Sequence, residues 1–166
     1  MFWKLFFYYF VTDCDTEITS RGELFTNGDV SVGQYEGCTS LTHLYIGETT
    51  KHIHNNSFSS TSLKYVFGNI QKTTIHENAF NDIPDSLQLT CPNCVVEKDA
   101  FTSENITLKS SIAHIKSHGF TNEICIQNGV VMNGKIEEYA FFTDCDLHVG
   151  DLNTVSYTHL RAHETT

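Results

Sequence analysis

The sequence predicts a mainly β chain wound into a short parallel-β solenoid of about 5–6 coils of 19–23 residues, and two recurring features carry that prediction. The first is an aliphatic residue, three variable residues, a small residue and an aromatic. It occurs as Val30…Gln34-Tyr35, Ile53…Ser57-Phe58, Ile75…Ala79-Phe80, Val96…Ala100-Phe101, Ile115…Gly119-Phe120 and Ile136…Ala140-Phe141. The aromatics lie 23, 22, 21, 19 and 21 residues apart, a period that marks a stacked repeat. The second is a pair of apolar residues flanking one variable residue.

That doublet recurs as Leu44-Tyr45-Ile46, Val66-Phe67-Gly68, Leu87-Gln88-Leu89, Ile106-Thr107-Leu108, Ile124-Cys125-Ile126 and Leu147-His148-Val149, with only Gly68 breaking it. Alternation of this kind is the period of a strand with one face buried. A single unit cannot bury its own apolar side and is stable only between neighbours that continue a common core. Stacking puts the aliphatic column, the aromatic column and the doublets inside. Strands one coil apart then run parallel along one side, and the segments ending in the aromatic are expected as turns or short helical pieces opposite.

The ends stand apart from the array. Residues 1–12 place one positive charge, Lys4, before the apolar run Leu5 to Val11, the order of a secretory signal, although no small-residue cleavage pattern follows. That run is too short to span a bilayer, which takes roughly 20 apolar residues. The alternative is a buried aromatic strand capping the first coil. Residues 13–29 are expected as an N-terminal cap or irregular first coil, and 30–154 as the solenoid, C-terminally truncated. Residues 155–166, VSYTHLRAHETT, resemble the conceptual translation of a sequencing adapter and are set aside from the fold.

Composition narrows the function. The 166 residues, 40% hydrophobic and 18% charged, suit one domain with a real core. A net charge of −10 repels phosphate backbones, so nucleic acid is not an expected partner. Two prolines and ten glycines, with no serine- or glycine-rich tract, mark no linker.

The run Tyr35-Glu-Gly-Cys38-Thr-Ser-Leu41-Thr-His-Leu44-Tyr-Ile46, continuing to Ile53 and Phe58, resembles the BspA-type leucine-rich repeat. The resemblance covers about residues 30 to 149, though later coils are shorter and lose the Cys and Leu positions. It implies a fold of the leucine-rich-repeat class. It also implies a secreted or surface-displayed protein of host-associated bacteria or anaerobic protists, engaged in adhesion or protein recognition.

Motifs with chemical reputations each have a plainer reading. Cys91-Pro-Asn-Cys94 has the spacing of a thiol-exchange pair, but that chemistry normally opens a helix in a βαβ unit, and no second such pair completes a zinc site. A local disulfide or turn cysteines are the alternative. The six cysteines, Cys14, Cys38, Cys91, Cys94, Cys125 and Cys145, are an even number compatible with oxidation outside the cell, and their pairing stays open. His54 and His76 share one repeat position and should stack on neighbouring coils. Their column continues as Glu97, Lys116 and Glu137, a solvated ladder rather than a ligand set. The carboxylate pairs Asp13/Asp15 and Asp144/Asp146 flank cysteines in turns with no oriented partner. No catalytic residue, metal or cofactor is expected. Asn55-Asn56-Ser57 and Asn105-Ile106-Thr107 are glycosylation sequons at variable positions.

The informative feature is the outward column of the sheet, read as Tyr45, Phe67, Gln88, Thr107, Cys125 and His148, with Thr42, His43, Lys64 and Tyr65 beside it. A row of exposed aromatics does nothing for stability, and Tyr is a residue type that carries interface energy. The expected recognition surface is His43, Tyr45, Tyr65 and Phe67, extended by Gln88 and Thr107. The alternative is cross-strand packing of residues with high β-propensity. The partner is expected to be a protein or glycan on a host or neighbouring cell, with membrane association only through an anchor beyond this chain. The rivals are a structural spacer for a further domain and thiol exchange at Cys91/Cys94.

Overall fold

The computed structural model describes residues 14–141 and the strand at 148–149. The leader-like segment, Asp13, Asp144, Cys145, Asp146, Leu147 and the 155–166 tail lie outside the described residues. Among the described residues one short helix, α1 (Cys14–Glu17), precedes β1 (Glu23–Phe25), β2 (His43–Tyr45), β3 (His52–Ile53) and β4 (Tyr65–Phe67). Then come β5 (Thr73–Ile75), β6 (Leu87–Thr90), β7 (Cys94–Val96), β8 (Ile106–Leu108) and β9 (His114–Ile115). β10 (Ile124–Ile126), β11 (Val131–Met132), β12 (Lys135–Ile136) and β13 (His148–Val149) complete the series.

Every strand pairing is parallel, and from β2 to β10 successive strands alternate between opposite sides of a β-solenoid. One side is a six-stranded sheet in the order β1-β2-β4-β6-β8-β10. The other is a five-stranded sheet in the order β12-β9-β7-β5-β3, lengthened by a bridge from Val30 to Ile53. The aliphatic of each motif therefore sits in a second sheet, and helical pieces are absent there among the described residues. The reason lies in the motif: two or three extended residues reach the next coil's backbone before a left-handed residue turns the chain. β1 takes the sheet one coil further towards the N-terminus than the motifs indicated, with Leu24 in the core.

The inner columns are continuous. Tyr35, Phe58, Phe80, Phe101 and Phe120 stack ring on ring at 5.4, 5.2, 4.7 and 4.8 Å, all buried. Stacked rings of this kind add to the burial of 150–250 Å² each, which is the main apolar contribution of every coil. Leu44, Val66, Leu89, Leu108 and Ile126 form the inner column of the six-stranded sheet. Buried hydroxyls are satisfied along the axis: Thr26 meets Thr50 at 2.7 Å, Thr50 donates to the Gly28 carbonyl, and Thr73 donates to the Thr50 carbonyl. Among the described residues no buried side-chain polar atom lacks a partner.

The turn after each aliphatic depends on one repeated backbone conformation. The residue two before each aromatic has positive φ in all six motifs: Gly33, Asn56, Asn78, Asp99, His118 and Tyr139. Glycine, asparagine and aspartate tolerate this left-handed region, whereas it costs other residues about 1–2 kcal/mol.

The cysteines brace the solenoid locally. Cys14 is bonded to Cys38, tying α1 to the first coil across a separation of 24 residues, which in the chain-entropy account contributes about 3 kcal/mol. Cys91 is bonded to Cys94 between β6 and β7, and Cys125 is also disulfide-bonded.

The last coil departs from the expected pattern. The doublet at His148-Val149 was expected to continue the six-stranded sheet, but β13 pairs with β11, register Val131↔His148, in a separate two-stranded sheet. This coil inserts an additional strand, β11, between β10 and β12, and that strand receives the pairing.

Candidate aromatic recognition face

On the six-stranded sheet the side chains that point away from the core form two columns. Register pairs Glu23 with His43, His43 with Tyr65, Tyr65 with Gln88, Gln88 with Thr107 and Thr107 with Cys125. The second column runs Phe25, Tyr45, Phe67, Thr90. The single outward column read from the doublets, in which Gln88 and Thr107 follow Tyr45 and Phe67, is therefore corrected: Gln88 follows Tyr65, two residues out of step. In the early coils the inner residues are Leu44 with Ile46 and Val66 with Gly68. In the later ones they are Leu87 with Leu89 and Ile106 with Leu108. Leu44, Val66 and Leu89 are in register, so the doublets themselves are displaced by two along the strand.

Within these columns the rings contact one another. Phe25 stacks on Tyr45 at 4.5 Å with 7° between planes, and Tyr45 on Phe67 at 5.1 Å and 16°. His43 stacks on Tyr65 at 4.7 Å, and Tyr65 lies 6.2 Å from Phe67 along the same strand. His43, Tyr45, Tyr65 and Phe67 thus come together as one patch, each half-buried. Phe25 completes it, 61% exposed, and was missed because it precedes the first recognisable motif. Its signal was Leu24 flanked by variable residues. Gln88 and Thr107 continue the first column without aromatic character, and Lys64 beside the patch pairs with Asp85 at 3.6 Å.

The geometry also sets what the patch offers. Rings stacked along the solenoid axis cover one another's faces and turn their edges to solvent. Aromatic edges carry partial positive charge and faces partial negative charge. Such a surface suits apolar side chains, aromatic faces and carbonyl oxygens, while the flat apolar face of a sugar finds few open ring faces to lie on. A depression of about 620 Å³ lies at the other end of this sheet, lined by residues including Ser86, Glu104, Asn105, Thr107, Asn122 and Glu123.

The five-stranded sheet presents a different surface. His54 stacks on His76 at 4.9 Å and 5°, as their shared repeat position predicts. Further along, Lys116 bonds Glu97 at 2.7 Å and His114 bonds Glu137 at 2.8 Å. The sequence reading did not group His52 with the pair, because it occupies a different repeat position. Its Nδ1 lies 3.0 Å from Nε2 of His76. Burial, then the neighbouring His54 and His52, hold the His76 pKa below the ordinary histidine value. The Glu137 carboxyl is raised by burial, but the Ser117 amide and His114 outweigh this, leaving it below the usual range. Among the described residues no group of three or more His, Cys, Asp or Glu is placed to hold a metal ion.

The remaining candidates are placed as follows. Cys91 and Cys94 are bonded to each other and buried, at 2% and 0% exposure, so neither sulfur is open to an incoming thiolate. Asn105 is exposed in a left-handed turn before β8. Asn55 is half-buried, and the hydroxyl of its sequon's Ser57 is buried and donates to the carbonyls of Ser31 and His54. No helix among the described residues is long and apolar enough to cross a membrane.

A family model described as BspA type Leucine rich repeat region matches six copies over residues 29–148. No curated protein and no solved structure matches the chain.

Proposed function

Because the chain belongs to the BspA-type leucine-rich repeat family, whose repeats build protein-interaction modules and typically serve as non-enzymatic scaffolds, we propose that it is a recognition or adhesion module binding through its six-stranded sheet. The observation that carries this reading is the aromatic patch of Phe25, His43, Tyr45, Tyr65 and Phe67. Five rings held on rigid strands lose little conformational freedom on binding, and large aromatic side chains dominate interface energetics. Edge-on presentation favours a protein over a glycan as the partner. Gln88 and Thr107 form the polar margin of the same face.

The protein acts outside the cell, secreted or surface-displayed, on a host or neighbouring cell. Proteins of this repeat family are often surface or secreted, and the disulfides at Cys14–Cys38 and Cys91–Cys94 suit an oxidising compartment. In a eukaryotic secretory pathway a sugar would be carried at Asn105 rather than Asn55, at the end of the sheet away from the rings. The test is a pull-down of extracellular proteins and glycans with the full chain beside a Tyr45→Ala/Tyr65→Ala/Phe67→Ala variant of matched circular dichroism. Capture of a protein by the parent and not by the variant is the expected result. Equal capture by both moves the site off this face, and capture by neither favours the spacer role.

A further inference from the structure

On the five-stranded sheet one diagonal contact is made twice, with different chemistry each time. Register places His52, Thr74, Val95 and His114 in one column, and the residues two further along, His54, His76, Glu97 and Lys116, with Glu137 a coil later, form the next. His114 reaches one coil forward to Glu137, its Nε2 lying 2.8 Å from the carboxylate. His52 makes the same reach to His76, and there imidazole meets imidazole, Nδ1 lying 3.0 Å from Nε2. The two nitrogens meet end-on, so one carries a proton and the other must be bare. His54 joins the pair, parallel to His76 at 4.9 Å and 5.7 Å from His52.

We infer that His52, His54 and His76 form an acid-operated latch, which holds β3 on β5 at neutral pH and loosens that pairing, but not the later coils, as the pH falls. Two neutral rings carry two ring protons, one of them in the bond between His52 and His76. A third proton goes to an outer nitrogen and leaves the bond intact. A fourth turns two N–H groups towards each other, which breaks the bond and sets two positive rings end to end. His54, once charged, adds a third positive ring to the stack. Among the described residues no carboxylate is bonded to any of the three. Asp29 on the first coil accepts the amides of Lys51 and His52 at 2.8 Å, and Glu97 is held by Lys116 at 2.7 Å. The carboxylates left beside the rings, Glu48 and Glu77, are matched by Lys51, Lys72 and Lys98. Burial first, then His54 and His52, hold the His76 pKa below the ordinary 6.5. The folded chain therefore takes up this proton at lower pH than the unfolded chain does, so stability is full above the unfolded value and is lost as pH falls through the folded one. On the later coils the same reach ends on a carboxylate, and a proton gained by His114 strengthens its bond to Glu137.

The experiment is amide hydrogen exchange of the full chain at about pH 7 and about pH 5, corrected for the intrinsic pH dependence of exchange. It compares the amides of Thr74 and His76, bonded to the Lys51 and Ile53 carbonyls, with those of Lys116 and Glu137, bonded to the Val96 and Ile115 carbonyls. In the parent, protection at Thr74 and His76 should fall roughly tenfold further than at Lys116 and Glu137. His76→Glu copies the contact between His114 and Glu137, and this extra loss should shrink to less than about threefold, whereas His118→Gln, on a later coil, should keep it in full. Imidazole ¹H–¹⁵N spectra of the unsubstituted protein give a second reading that needs no variant: the coupling across the bond from His52 to His76 should survive the first proton taken up by the pair and vanish with the next. Equal loss of protection at both ends of the sheet, an extra loss undiminished in His76→Glu, or a coupling that persists with both rings charged each overturns the latch.

Discussion

Gly68 is the one residue that breaks the apolar doublets, and its surroundings turn that irregularity into a quantitative prediction. In register it lies between Ile46 of the coil before and Cys91 of the coil after. Its amide donates to the Thr90 carbonyl at 2.7 Å. A Cβ at this position would stand 2.3 Å from Cys91 Sγ and 3.0 Å from both the Cα and the Cβ of Cys91. The sulfur is pinned by its bond to Cys94, so Gly68→Ala must displace backbone rather than rotate a side chain. Overpacking of this kind costs about 1–3 kcal/mol, and the stiffer unfolded chain returns about 0.4–1 kcal/mol. The net loss is about 1–2 kcal/mol, a fall in the urea midpoint on the order of 0.5–1 M. Urea unfolding followed by far-ultraviolet circular dichroism under oxidising conditions measures it. The same substitution in a Cys91→Ala/Cys94→Ala background meets only the two carbon atoms, so its penalty should shrink by more than about 0.5 kcal/mol. A Gly68→Ala variant as stable as the parent, or a penalty indifferent to the sulfur, would refute the steric account.

Two further predictions follow from the turns. His118→Asn keeps the left-handed turn and removes the strain of a bulkier residue, so it should raise stability by about 0.5–1 kcal/mol, while Asn78→Val, placing a β-branched residue at the equivalent position, should lower it by about 1–2 kcal/mol. Equal effects of both on the urea midpoint would contradict a conformational origin. The amide of His52, opposed by burial and joined by the amide of Lys51, holds the Asp29 carboxyl below its ordinary pKa. A depressed carboxyl contributes stability above its unfolded pKa and loses it as pH falls through the folded value. Between pH 5 and pH 2 the parent should therefore lose more midpoint than Asp29→Asn; parallel losses would show that this carboxylate is not linked to folding.

Much of this architecture was legible because a solenoid repeats its physics at fixed spacing. The aliphatic and aromatic columns, six deep from Val30 to Phe141, have one environment each and hence one residue type each. Stacking of His54 on His76 could be read from their shared repeat position. What was not legible arises where a position depends on its neighbour rather than on the repeat. The two-residue offset of Gln88 relative to Phe67 comes from the shifted inner pair Leu87 and Leu89, and sequence spacing alone cannot distinguish that from a shorter turn. The second sheet was hidden because its motif repeats a single aliphatic residue there, such as Ile53 in His52–Ile53, and so shows no recurring apolar doublet. The left-handed position, Gly33, Asn56, Asn78 and Asp99 in the early motifs, was counted among the variable residues, because His118 and Tyr139 interrupt the pattern.

These same features explain how one small solenoid can carry two unrelated surfaces. Each coil contacts only the coils beside it, and its outward residues on the two sheets are separated by the packed aliphatic and aromatic columns. Replacing Tyr45 or Phe67 therefore leaves the environment of His52 and His76 untouched, and the reverse holds as well. The outward rings are concentrated on β1, β2 and β4, giving way to Gln88 and Thr90 on β6 and to Thr107 on β8. On the proposed reading, binding energy on the six-stranded sheet would be concentrated at its N-terminal end. The later coils continue the buried ladder of Phe80, Phe101 and Phe120, which extends the frame on which β1, β2 and β4 stand.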